Sequence, residues 1–208
     1  MVDYGVKVGD QKSNTLTVPD RTIAYGLRGK DTLSTSVGGT SVLVGGSGSD
    51  QYIVANNSTA IISDIGNSAK DVIISTGIGF NTNTTLTLEI DNRHLVASDT
   101  VSGQTVLLLD WQNAANKIES VQFGNGTFTY DFLASNLRNT VGHLGNYTLE
   151  EADAQLLNGE LAANGLTRAE INPLINEIKT TNTLLSGASS SSLFSLAGDL
   201  LNLLPVTD

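Results

Sequence analysis

The 208-residue sequence contains no cysteine, which excludes disulfide cross-links and thiolate metal sites. If such a domain is secreted, a well-packed core or a bound cation has to replace the disulfides. No apolar run approaches the roughly 18 residues that a membrane-spanning helix requires. Residues 1–11 also lack the basic-then-apolar pattern of a cleavable signal peptide. We therefore expect any export signal to lie elsewhere in the chain.

Basic residues are also few, because 11 Lys and Arg stand against 21 Asp and Glu, giving a net charge of -10. The Lys and Arg residues are scattered along the chain, so a phosphate backbone would be repelled. We therefore expect no nucleic-acid partner. Glycine is abundant, with 21 residues, and Ser, Thr and Asn are common. This composition is typical of turn-rich β structure and predicts a mainly β fold.

Recognisable catalytic motifs are missing as well. The sequence has no G-x-S-x-G, H-E-x-x-H or G-x-x-x-x-G-K-[ST] motif. His94 and His143 are the only histidines, and neither has a partner at metal-ligand spacing. Trp111 and Phe123 are expected to pack in the core, since a β domain with few aromatics needs them there. We therefore expect a protein that is not an enzyme.

Internal repeats are the strongest positive signal. Residues 45–53 match the nonapeptide G-G-x-G-x-D-x-U-x, in which U is a large apolar residue. Residues 26–34 match it except at the second glycine, and residues 36–44 match it loosely. Two earlier segments look like decayed copies. Where the template has aspartate, the weaker copies have Asn14, Arg21 and Ser41, so we expect one cation site or two instead of a long row.

This spacing predicts a parallel β-roll. The glycines permit turns with positive φ, the aspartate faces a cation held between turns, and the U residue points into the core. Asp31 and Asp50 are about two repeats apart, so they should stack on one side of the roll. The predicted ligands are these two carboxylates and four backbone carbonyls, those of Arg28, Gly29, Gly46 and Gly48.

Oxygen ligands without thiols favour calcium over zinc at this site. The alternative is that Asp31 and Asp50 only cap their own turns. Asp64 and Asp71 lie where the repeats give way to other β segments. They are interpreted either as part of a further calcium site or as turn caps.

The rest of the chain divides into a β segment and a helical region. Residues 60–62, 71–74, 85–90 and 105–109 have the alternation and turn boundaries of strands. After residue 131, the capping-box patterns at residues 148–151 and 167–170 predict short helices. Apolar residues at helical spacing over residues 193–204 form an amphipathic stripe. This stripe is interpreted as an export signal or, alternatively, as a C-terminal core helix.

These features together resemble the RTX family of secreted bacterial proteins. The nonapeptides resemble its β-roll. The pieces Asp71-Val72-Ile73, Asp110-Trp111 and residues 118–127 (IESVQFGNGT) resemble the haemolysin-type calcium-binding-related segment that follows such rolls. The resemblance implies that residues 1–135 form the β-roll and related segment. It also implies that residues 136–208 form a helical region with a type I secretion signal.

The function implied by the resemblance is a secreted, extracellular calcium-binding module that supports type I secretion and folding outside the cell. Its implied partners are an ABC transporter, its adaptor and an outer-membrane channel. The module could also be the C-terminal part of a larger toxin, hydrolase or adhesin. The alternative is a structural or adhesive cell-surface protein that binds a surface glycan or self-associates.

Overall fold

The computed structural model describes residues 4–64, 68, 70–79, 84–89, 94–111 and 113–133. Within these residues, alternating short strands and turns account for nearly all of the chain. Residues 114–116 form a 3₁₀ turn. The strands are β1 (Gly5–Val8), β2 (Thr15–Val18), β3 (Thr22–Arg28), β4 (Thr32–Thr35), β5 (Thr40–Ser47), β6 (Gln51–Ile53), β7 (Thr59–Ser63), β8 (Val72–Ser75), β9 (Thr84–Glu89), β10 (His94–Asp99), β11 (Thr105–Leu108), β12 (Ser120–Phe123) and β13 (Gly126–Thr129).

The strands form two sheets that the chain visits alternately. The first sheet has the order β1-β3-β5-β7-β11-β10-β9, and the second has the order β13-β12-β8-β6-β4-β2. Pairing is parallel from β1 to β11 in the first sheet and from β2 to β12 in the second. The described chain is therefore a parallel β-solenoid, which confirms the predicted mainly β fold. A coil is one first-sheet strand with the second-sheet strand that follows it.

Antiparallel strands interrupt or end the parallel ladders at two places. β9 and β10 pair antiparallel beside β11, and β13 pairs antiparallel with β12. β7, β8, β9 and β11 lie where the alternation predicted strands, whereas β10 was not predicted. The expected helices in residues 136–208 lie outside the described residues, and so does His143. No helix in the described part of the chain is long and apolar enough to cross a membrane.

The core lies between the two sheets, because every second side chain of a strand points inward. In the second sheet the central inward column is continuous through the parallel ladder, and these side chains are at most 8% exposed. The first sheet faces it with a second column. Trp111 and Phe123 belong to the same core cluster, as predicted. The columns are Leu16, Leu33, Tyr52, Ile73 and Val121 in the second sheet, and Ala24, Leu43, Ile62 and Leu108 in the first.

One corner of the solenoid, where second-sheet strands end and first-sheet strands begin, is held by neutral side chains. Buried Gln104 accepts a hydrogen bond from Ser75 Oγ at 2.8 Å and donates to Val54 O at 3.1 Å and to Asn56 Oδ1 at 3.1 Å. The hydroxyls of Thr35 and Ser58 are 2.9 Å apart. We call this the neutral corner. The side chains of Gln104, Thr35 and Ser58 join coils there without charge, while the carboxylates of Asp20 and Asp99 at the same corner accept backbone N–H groups.

The turns at the opposite corner keep the geometry of the repeat even where its sequence departs from the template. Gly46 has φ +97°, and Leu27, which replaces the second template glycine in the preceding coil, has φ +84°. The two residues are paired in register. A leucine in this conformation is strained by about 1–3 kcal/mol, so stacking on the next turn holds it there.

We predict that Gly48→Ala destabilises the protein by about 3 kcal/mol. Gly48 has φ +146°, and a Cβ there would clash with the carbonyl oxygen of Gly29 in the stacked turn. Gly38→Ala is the matched control, since Gly38 also has a positive φ, +79°, but a Cβ there meets nothing within 4 Å. It should cost only about 1 kcal/mol of backbone strain. Urea unfolding measures both changes, and equal losses would contradict the stacked-turn explanation.

Candidate metal centre

A column of polar side chains runs along the corner where first-sheet strands end and second-sheet strands begin. Its members directly precede β2, β4, β6, β8 and β12, and they are Asn14, Asp31, Asp50, Asp71 and Glu119. The backbone N–H of each residue donates to the carboxylate of the next, at 2.7, 2.8, 2.7 and 2.8 Å in order. We call this series the carboxylate ladder. It ties successive coils together through charge-assisted hydrogen bonds.

A second column at this corner changes from glycine to aspartate. The register of β3, β5 and β7 places Gly26, Gly45 and Asp64 at equivalent positions. A Cβ on Gly26 would lie 2.5 Å from Asp31 Oδ2, and a Cβ on Gly45 would lie 2.5 Å from Asp50 Oδ2. Glycine therefore leaves room for the ladder carboxylate of its own coil. Asp64 occupies that position with a carboxylate of its own.

Asp50, Asp64 and Asp71 consequently converge. Each offers a carboxylate oxygen, and the three atoms lie within 4.8 Å of one another. Their side chains are buried, with exposures of 0%, 2% and 0%. We call these three residues the aspartate triad. Three carboxylates so close together and out of water require a proton or a cation between them.

Several oxygens of this corner have no hydrogen-bond partner. They are Asp31 Oδ2, Asp50 Oδ2, both carboxylate oxygens of Asp64 and the hydroxyl of Tyr52. Asp71 differs, because it accepts hydrogen bonds from the backbone N–H of Asp50 and from Ser68 Oγ. A buried acceptor left unpaired costs about 1–3 kcal/mol. At the neutral corner the buried oxygen without a partner is the Thr59 hydroxyl, whereas here four of the five are carboxylate oxygens, which need a proton or a cation.

The electrostatics agree with this geometry. Burial, followed by the neighbouring Asp71 carboxylate, raises the pKa of Asp64 to about 10. Burial raises the pKa of Asp50 to about 6, against the hydrogen bond from the Asp31 backbone. Burial also raises the pKa of Asp31 and that of Tyr52. Without a cation, Asp64 therefore carries a proton at neutral pH, and binding a cation would displace it.

The donor set fits a hard divalent cation. All groups at the triad are carboxylate oxygens, which suit calcium or magnesium and are poor ligands for soft metals. The unpaired oxygens of Asp50 and Asp64 are the ones that a cation would satisfy. The aspartate triad is therefore a group that could hold a metal ion.

Of the six residues predicted as ligands, only Asp50 belongs to the aspartate triad. Asp31 and Asp50, 19 residues apart, stack in consecutive coils as expected. Asp50 belongs to the triad, whereas Asp31 lies one coil further along the ladder. Arg28 is paired with Ser47 in register. The turns of Gly29 and Gly48 stack directly. That the carbonyls of Arg28, Gly29, Gly46 and Gly48 bind a cation stays a prediction.

Asp64 and Asp71 belong to the candidate metal site itself, a larger role than the sequence indicated. The interpretation of Asp64 as a turn cap is wrong, since neither of its oxygens accepts a hydrogen bond. Asp71 accepts a hydrogen bond from the next coil as well as from Ser68. A signal for Asp64 was present in the sequence, because Gly26, Gly45 and Asp64 are equally spaced along the chain. Its spacing marks it as the residue that replaces the repeat glycine.

The contacts of His94 are those of a structural polar residue. It lies in β10, is 1% exposed, and accepts a hydrogen bond at Nδ1 from the backbone N–H of Asp110 at 2.8 Å. An Nδ1 that accepts carries no proton, so the ring is neutral. Asp110 has φ +49°, a conformation that this hydrogen bond helps to hold.

The chain matches no protein-family model and no curated protein. The structure defines it as a parallel β-solenoid with a buried aspartate triad.

We predict that the stability of the cation-free protein falls as the pH rises. The pKa values of Asp50 and Asp64 rise on folding from 3.8 to about 6 and about 10, so the folded state binds more protons than the unfolded state. Their stabilising contribution is complete below pH 3.8 and is lost as the pH rises through about 6 and then about 10.

Urea unfolding in the presence of a chelator, from about pH 5 to about pH 9, measures this slope. A divalent cation held by the triad would need these carboxylates ionised, so a saturating concentration of it should reduce or reverse the decline. Cation-free stability that rises over this range would show that the triad carboxylates are not protonated in the folded protein.

Proposed function

We propose that this protein is a secreted calcium-binding module of the RTX type, without catalytic activity, that supports type I secretion and extracellular folding. The observation that carries the proposal is the buried aspartate triad with its unpaired oxygens. The match of residues 26–34 and 45–53 to the nonapeptide supports it, since both segments form stacked turns of a parallel solenoid.

Calcium is the cation that this arrangement favours. Calcium accepts many oxygen ligands in flexible geometry, whereas magnesium requires near-ideal octahedral geometry and retains several waters. The triad lies in a buried corner whose backbone is fixed by the carboxylate ladder. Such a site excludes water and has carboxylates whose positions are set by the fold. It therefore suits calcium, which loses its water ligands more easily than magnesium and tolerates a wider range of coordination geometries.

Cation binding would be coupled to folding in such a site. Asp50 and the pair Asp64 and Asp71 come from two coils, so the triad exists only when the coils have stacked. Without a cation its charges repel, and with a cation they become ligands, so binding energy becomes folding energy. A chain of this kind would stay weakly folded where calcium is scarce and fold where calcium is plentiful outside the cell.

We predict that calcium at about 100 times its dissociation constant stabilises the protein by about 2.7 kcal/mol. Asp64→Asn should abolish this stabilisation while leaving cation-free stability at neutral pH nearly unchanged, because the carboxyl it replaces already carries a proton there. Calorimetric titration and thermal unfolding with calcium, and separately with magnesium, measure both effects.

Asp99→Asn is the matched control for this experiment. Asp99 is also buried, at 4% exposure, and its Oδ1 accepts the backbone N–H groups of Val101 and Ser102 at 3.0 and 2.8 Å. It is not part of the triad, so its replacement should leave calcium stabilisation intact. Absence of calcium uptake by the unmodified protein would remove the proposal.

We further propose that residues 136–208 carry the export information, read by an ABC transporter, its adaptor and an outer-membrane channel. The apolar stripe over residues 193–204 supports this. We predict that residues 144–208 export an unfolded reporter from a cell with a matching type I transporter, and that truncation after Ser192 prevents export. Equal export of both fusions would favour the core-helix interpretation of the stripe.

A structural or adhesive surface role is the second candidate, and one observation favours it. The outward side chains of the second sheet include no ionisable group, although the chain has a net charge of -10. Such a face is free of charge repulsion towards a neutral surface glycan or a second copy. Failure of the export fusions, with retention of the protein on cells, would favour this function. The outward residues are Thr15, Thr17, Thr32, Ser34, Gln51, Ile53, Val72, Ile74, Ser120, Gln122, Thr127 and Thr129.

A further inference from the structure

Tyr52 is chemically out of place in the core column of the second sheet. Its partners in register are Leu33 on one side and Ile73 on the other, and the column continues with aliphatic residues. Tyr52 is 0% exposed; the backbone of Gly45 lies beside its hydroxyl, but the O–H donates to no acceptor. An unpaired buried hydroxyl costs about 1–3 kcal/mol. A leucine or phenylalanine would fill the column without this cost, so the hydroxyl requires a reason.

The hydroxyl faces the aspartate triad. A Cβ on Gly45 would clash with the Tyr52 hydroxyl and would lie 2.5 Å from Asp50 Oδ2. The two oxygens therefore border the same small space, the one that the absent side chain of Gly45 leaves open. Gly45 is at the position equivalent to Asp64 in the next coil. The phenol thus reaches across the core to the corner where the unpaired carboxylate oxygens lie.

We propose that Tyr52 is a positioning residue of the metal site. If each triad carboxylate gives one oxygen to a cation, the second oxygen of Asp64 stays without a partner, and the Tyr52 O–H donates to it. Ionised carboxylates only accept hydrogen bonds, and a phenol is a donor whose position is fixed by its ring. Groups that orient metal ligands in this way raise metal affinity. The inference rests on the proposed calcium function and adds a residue that the repeat template assigns only to packing.

Tyr52→Phe tests the inference, because it removes the hydroxyl and keeps the ring. We expect calcium affinity to fall about tenfold in calorimetric titration, with cation-free stability unchanged or increased. We also expect calcium to produce a tyrosine ultraviolet difference spectrum in the unmodified protein, and this signal should disappear in Tyr52→Phe. A packing role alone would move neither measurement.

Tyr25→Phe is the matched control. Tyr25 is also buried, at 2% exposure, but it lies in the first sheet and outside the core cluster that contains Tyr52. This variant should keep both the affinity and the difference spectrum. Calcium binding by Tyr52→Phe as tight as that of the unmodified protein would overturn the inference and leave the proposed function standing. Absence of calcium uptake by the unmodified protein would end both.

A second measurement decides the matter if Tyr52→Phe does not fold. In that case the calcium-induced difference spectrum is compared between the unmodified protein and Tyr25→Phe. A signal that keeps its size in Tyr25→Phe, and likewise in Tyr4→Phe, Tyr130→Phe and Tyr147→Phe, leaves Tyr52 as its source among the five tyrosines. No signal in a protein that binds calcium overturns the inference.

Discussion

The hydrogen bond from a backbone N–H to the carboxylate of the next coil is the interaction on which this corner of the solenoid depends. It recurs from Asn14 to Glu119 and fixes where β2, β4, β6 and β8 begin. It also has a consequence for charge, because each aspartate that accepts with Oδ1 carries Oδ2 into the interior. For Asp31 and Asp50 that second oxygen has no partner. The ladder that aligns the coils thus concentrates negative charge where water is excluded.

Buried polar side chains lie at both corners of the solenoid, but they are paired by different groups. At the neutral corner, the Gln104 side chain and the hydroxyls of Thr35 and Ser58 supply donors and acceptors in balance. Around the aspartate triad, at the corner of the carboxylate ladder, the side chains are carboxylates, and the side-chain donors described beside them are the hydroxyls of Ser68 and Tyr52. The first corner leaves one neutral hydroxyl unpaired, that of Thr59, whereas the second leaves four carboxylate oxygens without a donor. A proton on Asp64 or a cation among the triad carboxylates restores the balance, and the two compete for the same oxygens.

The sequence predicted the solenoid because the repeat encodes backbone conformation as well as composition. Gly46 and Gly48 take the positive φ values that the template implies, and Asp31 and Asp50 stack as their spacing requires. Leu27 shows the limit of this reasoning, because the leucine adopts the glycine conformation when the next coil imposes it. Asp64 lies outside any nonapeptide, and although its equal spacing from Gly26 and Gly45 marks the position, its place beside the ladder follows only from strand register. The unpredicted strand β10 depends in the same way on pairing with partners on both sides.

The carboxylate ladder also joins parts of the chain that are distant in sequence. Its first three steps span 17, 19 and 21 residues, whereas the last, from Asp71 to Glu119, spans 48. Closing the longer loop costs more chain entropy, so the last coil is the one most dependent on its contacts with the preceding coil. Asp71 makes that contact through its N–H and belongs to the triad through its carboxylate. Glu119 also repels the Asp64 carboxylate, so a positive charge at the triad would relieve this repulsion at the residue that directly precedes β12.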